Sequence, residues 1–440
     1  MSVIALHDLS ILDAAARKNL TRRTEADLGP FIERVKPIIE AVRIEGDVAL
    51  SRFAAELEKA PVAADAIKVS PAELEGADKG ITPELAQSIA FAIEGIRRFH
   101  EAQKPEEMWI KEIRPGVWAG DRSLPIDSVA CYVPRGKGSF PSVLMMTTIP
   151  AKVAGVLKIA LLTPPGPDGK VDAATLHACK LIGISDVYKC GGAQAVAAAA
   201  YGTETVPKCL KIMGPGSPYV VAAKRLLADI IDTGIPAGPS ECIVLADDSA
   251  DGRLAGLDLI IESEHGPDSS AFLVTPSRAV AEAARAAIPT YWAQMGAQRV
   301  GFSSTVLGGP KGGIVLTRDM DEAIGFVNDY APEHLQVLTK DPWATVGRLR
   351  NAGEILMGRH TPTVLGNYLI GPNAVLPTGG WARTASPLSV HDFMHRSSLA
   401  YVTEPAYGEL AAHAHRLATY EGFDGHALAV SEVRARLLKP

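Results

Sequence analysis

Lys158-Ile159-Ala160-Leu161-Leu162-Thr163, closed by Pro164-Pro165-Gly166, is an apolar run of strand length ended by turn residues. Ala173 to Ile182 follows with helical spacing. Asp186-Val187-Tyr188-Lys189-Cys190 is a second strand, and Gly191-Gly192-Ala193-Gln194 opens an alanine-rich helix. Leu210-Lys211-Ile212-Met213 is a third strand, after which Gly214-Pro215-Gly216-Ser217-Pro218 opens another helix. Upstream, Val117–Arg122 reads as part of a hairpin and Pro125–Val133 as a buried strand. Strands alternating with helices at this spacing predict a parallel sheet covered on both faces, a Rossmann-like α/β architecture.

A second α/β region resumes at Cys242-Ile243-Val244-Leu245-Ala246 and runs through Ala271-Phe272-Leu273-Val274-Thr275 to about residue 380. Before the first region the pattern is helical. Apolar residues recur at helical spacing from Glu25-Ala26-Asp27 to Phe53, with Pro37 interrupting, and again from Pro83 to Ala102. The last sixty or so residues are helical in pattern. The organisation expected is an N-terminal helical extension (1–27), a main α/β domain (28–131 with 238–385), a second Rossmann-like domain (132–237) and a C-terminal helical tail (386–440).

At 440 residues the chain can bury more than one substantial core. Its hydrophobic content of 47% and charged content of 21% are those of a soluble globular protein. A net charge of -6 offers no attraction to nucleic acid or an anionic membrane. No apolar run approaches a membrane span, and Met1–Asp8 lacks the basic flank and long apolar run of a signal peptide. A cytoplasmic protein is expected. Cys131, Cys179, Cys190, Cys209 and Cys242 show no CxxC spacing and read as buried reduced thiols. Cys242 as a nucleophile is a weak alternative, since nothing beside it in sequence would hold a thiolate.

Chemistry concentrates in two stretches, Glu262-Ser263-Glu264-His265-Gly266-Pro267-Asp268-Ser269 and Ala331-Pro332-Glu333-His334-Leu335. Each sets a carboxylate directly before a histidine. Imidazole carries protons or binds metal near neutral pH, and a neighbouring carboxylate can ligate, orient it or activate water. Glu262 and His265 are three apart, so a helix continuing from Leu257–Ile261 would put both on one face, as a metal-ligand pair requires. The glycine turns at Gly191-Gly192 and Gly214–Gly216 each place backbone N–H groups at a helix start, where phosphate is favoured. Neither is a complete G-x-G-x-x-G fingerprint. Gly366-Asn367-Tyr368 and Glu421-Gly422-Phe423-Asp424-Gly425-His426 complete the set.

Together these blocks resemble the histidinol dehydrogenase family over nearly the whole chain. The matching blocks include Tyr132-Val133-Pro134-x-Gly136-Lys137, Pro141–Met145, Ile149–Val156, Gly191–Ala195, Ala237-Gly238-Pro239-Ser240-Glu241, Glu264–Ser269, Pro332–Leu335 and Val375-Leu376-Pro377-Thr378, in the family's order. The resemblance implies a zinc-dependent, NAD-linked enzyme that oxidises a primary alcohol to a carboxylate in two hydride transfers. It also implies a domain-intertwined homodimer with one zinc per subunit, the C-terminal part of each subunit completing its partner's active site. By the same resemblance the zinc ligands are Glu262, His265, Asn367 and His426, the general base is His334 and the water activator Glu333. Tyr132, Gln194 and Ser217 match cofactor contacts, and Ser240 and Glu421 match substrate contacts.

The chain departs from the family at telling positions. Glu262 stands where the family has Gln, and Asn367 where it has Asp, so ligand charge is conserved while acid and amide change places. Asn373-Ala374 replaces Asn-His in the substrate pocket, Ser217 replaces Asn, and Arg135 replaces a small residue. Loss of a pocket histidine and gain of an arginine suit an anionic substrate without an imidazole, with Arg135 and Asn373 as candidate contacts. The departures resemble a paralogous branch, sulfopropanediol 3-dehydrogenase, which oxidises (R)-2,3-dihydroxypropane-1-sulfonate to (R)-sulfolactate. The alternative is oxidation of L-histidinol to L-histidine.

Overall fold

The structure is a computed structural model that describes residues 4–22, 28–135 and 138–438. Glu25-Ala26-Asp27 and Gly136-Lys137, singled out above, lie outside the described residues. The chain forms two compact units, one of residues 1–104 with 126–393 and one of 105–125 with 394–440.

The first unit holds two all-parallel sheets. One has four strands in the order Val187–Lys189, Lys158–Thr163, Ser128–Tyr132, Lys211–Met213. The other has six, in the order Leu6–Asp8, Gly312–Leu316, Ser270–Thr275, Glu241–Ala246, His334–Leu338, Glu354–Met357. Most of these strands are buried along their length, as near-continuous apolar runs covered on both faces must be. From Glu241 onward the second sheet repeats the order of the first: third, second, first, fourth strand in chain sequence.

Two expectations about organisation change. The N-terminal segment is not only helical, because Leu6–Asp8 pairs in parallel with Ile314–Leu316 and forms an edge of the six-stranded sheet. Helices Gly29–Glu45 and Asp47–Glu56 pack on the four-stranded sheet, not the other. Val35, Ile39, Val42, Leu50 and Phe53 share one core with Tyr132, Leu162, Ile212 and the alanine face of Gly192–Tyr201. The run of small side chains on that helix allows close approach, so residues 28–56 belong by packing with 128–231.

The second unit is built on an antiparallel sheet of three strands, Met394–Val402 beside Val117–Pro125 beside Met108–Arg114. Helices Glu404–Tyr420, Asp424–Ala429 and Glu432–Leu437 follow. The C-terminal segment thus begins with a strand whose partner lies nearly three hundred residues earlier, at the hairpin read from Val117–Arg122.

Candidate active site

In a parallel sheet, helices return antiparallel to the strands. Helix N-termini therefore gather at the carboxyl edge and C-termini at the amino edge. The first edge carries partial positive charge and the second partial negative charge. The two sheets use opposite edges.

At the amino edge of the six-stranded sheet, Glu241, His334 and Glu354 are each the first residue of their strands. His334 is registered against Cys242 on one side and Glu354 on the other. Helix Gly252–Ser263 ends at this edge with Glu262 in its last turn. His265 does not continue the helix as expected. It lies in the turn beyond, where its N–H bonds to the carbonyl of Glu262 (3.3 Å), and the pair meets all the same. Helix Met320–Tyr330 also ends there, and Ala331 then takes a left-handed conformation (φ 52°) that swings Pro332, Glu333 and His334 into place. A non-glycine residue at this φ is held by its surroundings at a cost of roughly 1 kcal/mol.

The side chains at this edge form one connected group. Asn367 Nδ2 donates to Glu262 Oε1 (2.9 Å). Glu262 Oε2 stands 3.0 Å from His265 Nδ1, and that same nitrogen bonds the Ser240 hydroxyl (2.9 Å). Glu333 Oε2 accepts from the Glu241 N–H (2.9 Å). The His334 ring lies between two carboxylates, with Nε2 3.8 Å from Glu333 Oε1 and Nδ1 3.7 Å from Glu354 Oε2. Glu262, Glu333, His334 and Glu354 are all buried, Glu262 completely. Two glycines make the space. A side chain at Gly353 would meet the Glu333 carbonyl at 2.6 Å, and one at Gly366 would meet Glu354 Oε1 at 2.3 Å.

Four buried acids around two imidazoles perturb one another strongly. Burial, reinforced by Glu262 and Glu241, pushes the Glu333 carboxyl up to about 8 against the opposing pull of His334. Burial would strip His334 of its proton, but Glu262, Glu333 and Glu354 outweigh it and raise the imidazole to about 10. Burial likewise opposes ionisation of Glu262, yet His265, His334 and the Asn367 and Ser240 hydrogen bonds hold it below the usual carboxylate range.

This donor set fits a divalent cation. Glu262 is completely buried, with the His265 imidazole beside Oε2 and the Asn367 amide on Oε1, on an edge rich in helix C-termini and acids. No three His, Cys, Asp or Glu side chains among the described residues converge as a ready-made cage. Glu262, His265 and Asn367 come together in the first unit. His426 and Glu421 lie in the second unit, both exposed, with the His426 ring packed on Phe423 (centroids 5.0 Å apart).

The carboxyl edge of the four-stranded sheet gathers the cofactor candidates. Tyr132 ends its strand and its hydroxyl accepts from the Gly192 N–H (3.2 Å). Gln194 is buried in the first turn of helix Gly192–Tyr201. Gly214 cannot carry a side chain, since its φ is 120° and a Cβ would lie 2.1 Å from the Tyr132 carbonyl oxygen. Ser217 is exposed at the start of helix Pro218–Leu226, where its side chain makes no capping bond. The Gly191 N–H, read above as a phosphate donor, is already taken by Glu58 Oε1 (2.8 Å).

Two expectations look different in the fold, those for Asn373 and Arg135, while Cys242 is the buried thiol expected. Asn373 is a structural tie: Nδ2 donates to the Met146 carbonyl (2.6 Å) and faces His100 Nε2 (3.2 Å), while Oδ1 accepts from the Val375 N–H (2.9 Å). Both amide hydrogens are used, so it has none left for an anion. Arg135 is exposed on the loop after Tyr132, donates to the Lys170 carbonyl (3.4 Å) and lies over Gly166, at the four-stranded sheet. The structure does not bring it to the acid and histidine group. Cys242 is fully buried, and burial together with Glu262 and Asp258 drives its thiol well above the ordinary value, so it is no thiolate.

A family model described as Histidinol dehydrogenase matches residues 21–435. The chain belongs to the histidinol dehydrogenase family. Histidinol dehydrogenase homolog 2 of Mesorhizobium japonicum is 62% identical over 438 residues, covering 100% of each chain. Histidinol dehydrogenase of Synechocystis sp. is 47% identical, covering 96% of this chain and 98% of that one. The crystal structure of histidinol dehydrogenase from Elizabethkingia anophelis superposes with a TM-score of 0.92 at 31% identity, covering 99% of both. Membership makes the chain an NAD-dependent oxidoreductase of the α/β class with parallel sheets. No helix among the described residues is long and apolar enough to cross a membrane.

Glu354 and Glu58 escaped the sequence reading. Each is a lone acid in ordinary sequence context. Only sheet register puts Glu354 beside His334, and only packing puts Glu58 on Gly191.

Proposed function

We propose that this histidinol dehydrogenase family member oxidises a small primary alcohol through its aldehyde to the carboxylate, with zinc bound by Glu262, His265, Asn367 and His426. The balance is RCH2OH + H2O + 2 NAD+ → RCOO− + 2 NADH + 3 H+. The observation that carries the reading is the His334 ring held between Glu333 and Glu354, beside the Glu262, His265 and Asn367 group. Zinc, when bound, supplies positive charge that polarises the alcohol oxygen and favours its ionisation. The same charge would lower His334 and Glu333, both of which hold a proton near neutral pH without it, so that His334 accepts the hydroxyl proton as hydride departs to NAD. The Glu354 carboxylate lies on the Nδ1 side of the ring (3.7 Å), which favours a proton on Nδ1 and leaves Nε2 as the working nitrogen. Glu333, oriented by the Glu241 N–H, takes a proton from the water that attacks the aldehyde. Ser240 and Glu421 contact the substrate, and His426 and Glu421 come from the partner of a homodimer. The test is stoichiometric: the zinc-loaded enzyme yields two NADH per alcohol and a carboxylate product, and a single NADH with accumulating aldehyde contradicts the reading.

The substrate we infer is (R)-2,3-dihydroxypropane-1-sulfonate, giving (R)-sulfolactate. Support comes from the exchange of acid and amide between Glu262 and Asn367, which are bonded to each other at 2.9 Å, and from Ala374 in place of a pocket histidine. With Asn373 committed to the core, the sulfonate needs another donor. Arg299, whose Nη1 bonds the Glu264 carbonyl (3.0 Å) next to His265, brings a guanidinium to the group. Oxidation of L-histidinol is the second reading, favoured by the Synechocystis relative's description and by the place of Arg135 away from the acids.

A further inference from the structure

At the carboxyl edge of the four-stranded sheet, Glu58 lies over the ends of two neighbouring strands. A side chain at Gly191 would meet both Pro164 Cγ (2.2 Å) and Glu58 Oε1 (2.7 Å). Glu58 Oε1 accepts from the Gly191 N–H (2.8 Å) and from Gln194 Nε2 (2.9 Å). Its second oxygen, Oε2, is buried and has no hydrogen-bond partner among the described residues, and the same holds for Gln194 Oε1. The Gln194 side chain is itself 2% exposed. Tyr132, also buried, uses its hydroxyl oxygen to accept from the Gly192 N–H (3.2 Å). Lys59, immediately after Glu58, holds a left-handed backbone (φ 56°) in the turn beyond helix Asp47–Glu56.

Two buried acceptors next to each other at a strand's carboxyl end lack donors. Leaving such groups unpaired is costly, so the arrangement suits a ligand that brings hydrogens. A vicinal diol brings two. The strand order changes direction between Ser128–Tyr132 and Lys211–Met213, where a dinucleotide crosses an open parallel sheet. The three strands on the Glu58 side form the half that receives the adenosine end in such sheets. Resting on the NAD reading above, we propose that Glu58 Oε2 and Gln194 Oε1 accept hydrogen bonds from the 2′- and 3′-hydroxyls of the adenosine ribose, and that Glu58 excludes NADP. A 2′-phosphate would replace a donor with negative charge beside a carboxylate. Gln194 and Glu58 act as one element, because the Gln194 amide is oriented by its bond to Oε1.

The test is calorimetric titration of the full-length protein with NAD and with NADP, for wild type, Glu58→Gln and Glu58→Ala. Glu58→Gln keeps an acceptor for the Gly191 N–H but replaces the other oxygen with an amino group that cannot accept. The expected result is wild-type preference for NAD by at least about a hundredfold, with NAD weakened about ten- to a hundredfold in Glu58→Gln and the preference narrowed to under about tenfold. Melting temperature, read in parallel, separates this from loss of the turn: Glu58→Gln should melt no lower than wild type, and Glu58→Ala lower. If Glu58→Gln leaves both affinities and their ratio unchanged, Glu58 only caps the turn and the inference fails while the NAD reading stands. If wild type binds neither dinucleotide, the NAD reading fails, and this inference with it.

Discussion

At the residue scale the account rests on a division of labour between neighbours. His334→Asn removes the group that takes the alcohol proton and should slow alcohol oxidation. Glu333→Gln should spare that step more and slow turnover of supplied aldehyde, because water attack is impaired. Each loss should be on the order of 10²–10⁴ in rate. Separate kcat measurements with alcohol and with aldehyde check this, and equal losses on both substrates for both variants would refute it. Glu354 is a positioning residue with a different signature. Its carboxylate is one of the three that raise the His334 imidazole. Glu354→Gln should therefore shift the acidic limb of the kcat/KM profile to lower pH, since His334 then loses its proton more readily. A drop in activity with no movement of that limb would leave Glu354 a merely structural part.

At the element scale, the sheets were legible because their strands are apolar runs bounded by glycine and proline. Lys158–Thr163 and the helix Ala173–Ile182 are found where periodicity puts them. Leu6–Asp8 was not legible, because three residues carry too little pattern to show a strand that only an exposed neighbour edge makes worthwhile. The Glu262 and His265 pair was legible as a sequence spacing but not as a geometry, since the helix stops between them. Asn373 shows the converse. An amide in a pocket motif reads as a ligand contact until the fold turns it toward Met146 and His100, both distant in sequence. Glu58 gives this scale its prediction. Burial raises its carboxyl to about 7 in the folded protein, against 4.5 for the free group. Below the lower value both states are protonated and the effect vanishes. Between the two the native state binds more protons, so stability falls as pH rises, and above about 7 it levels off. The total should be on the order of 2–3 kcal/mol. Denaturant unfolding from pH 4 to 8 should show this slope in wild type and a flatter one in Glu58→Gln, and identical slopes would contradict the burial argument.

At the scale of the whole molecule, the two sheet edges divide the chemistry by the sign of their helix ends. Acids and imidazoles collect at the amino edge of one sheet, and the proposed nucleotide contacts at the carboxyl edge of the other. Two consequences follow for zinc and assembly. His265→Ala and His426→Ala should each lower zinc content, measured on purified protein, although the residues belong to different units; retention of full zinc by His426→Ala would remove it from the ligand set. Mixing inactive His334→Asn with inactive His426→Ala subunits under exchange should restore activity, up to about a quarter of wild type, because half the dimers then carry one intact site. No recovery in demonstrably mixed dimers would mean each subunit builds its own site. The family was legible from ordered motifs along the chain, but the substrate was less so, since Arg135 and Asn373 do not meet the acid group. The measurement that decides most is kcat/KM for (R)-2,3-dihydroxypropane-1-sulfonate and for L-histidinol, on zinc-loaded enzyme at one pH and ionic strength. The account expects the sulfonate to be preferred by at least about tenfold, equivalent to ~1.4 kcal/mol in transition-state binding; a tenfold preference for histidinol would contradict it.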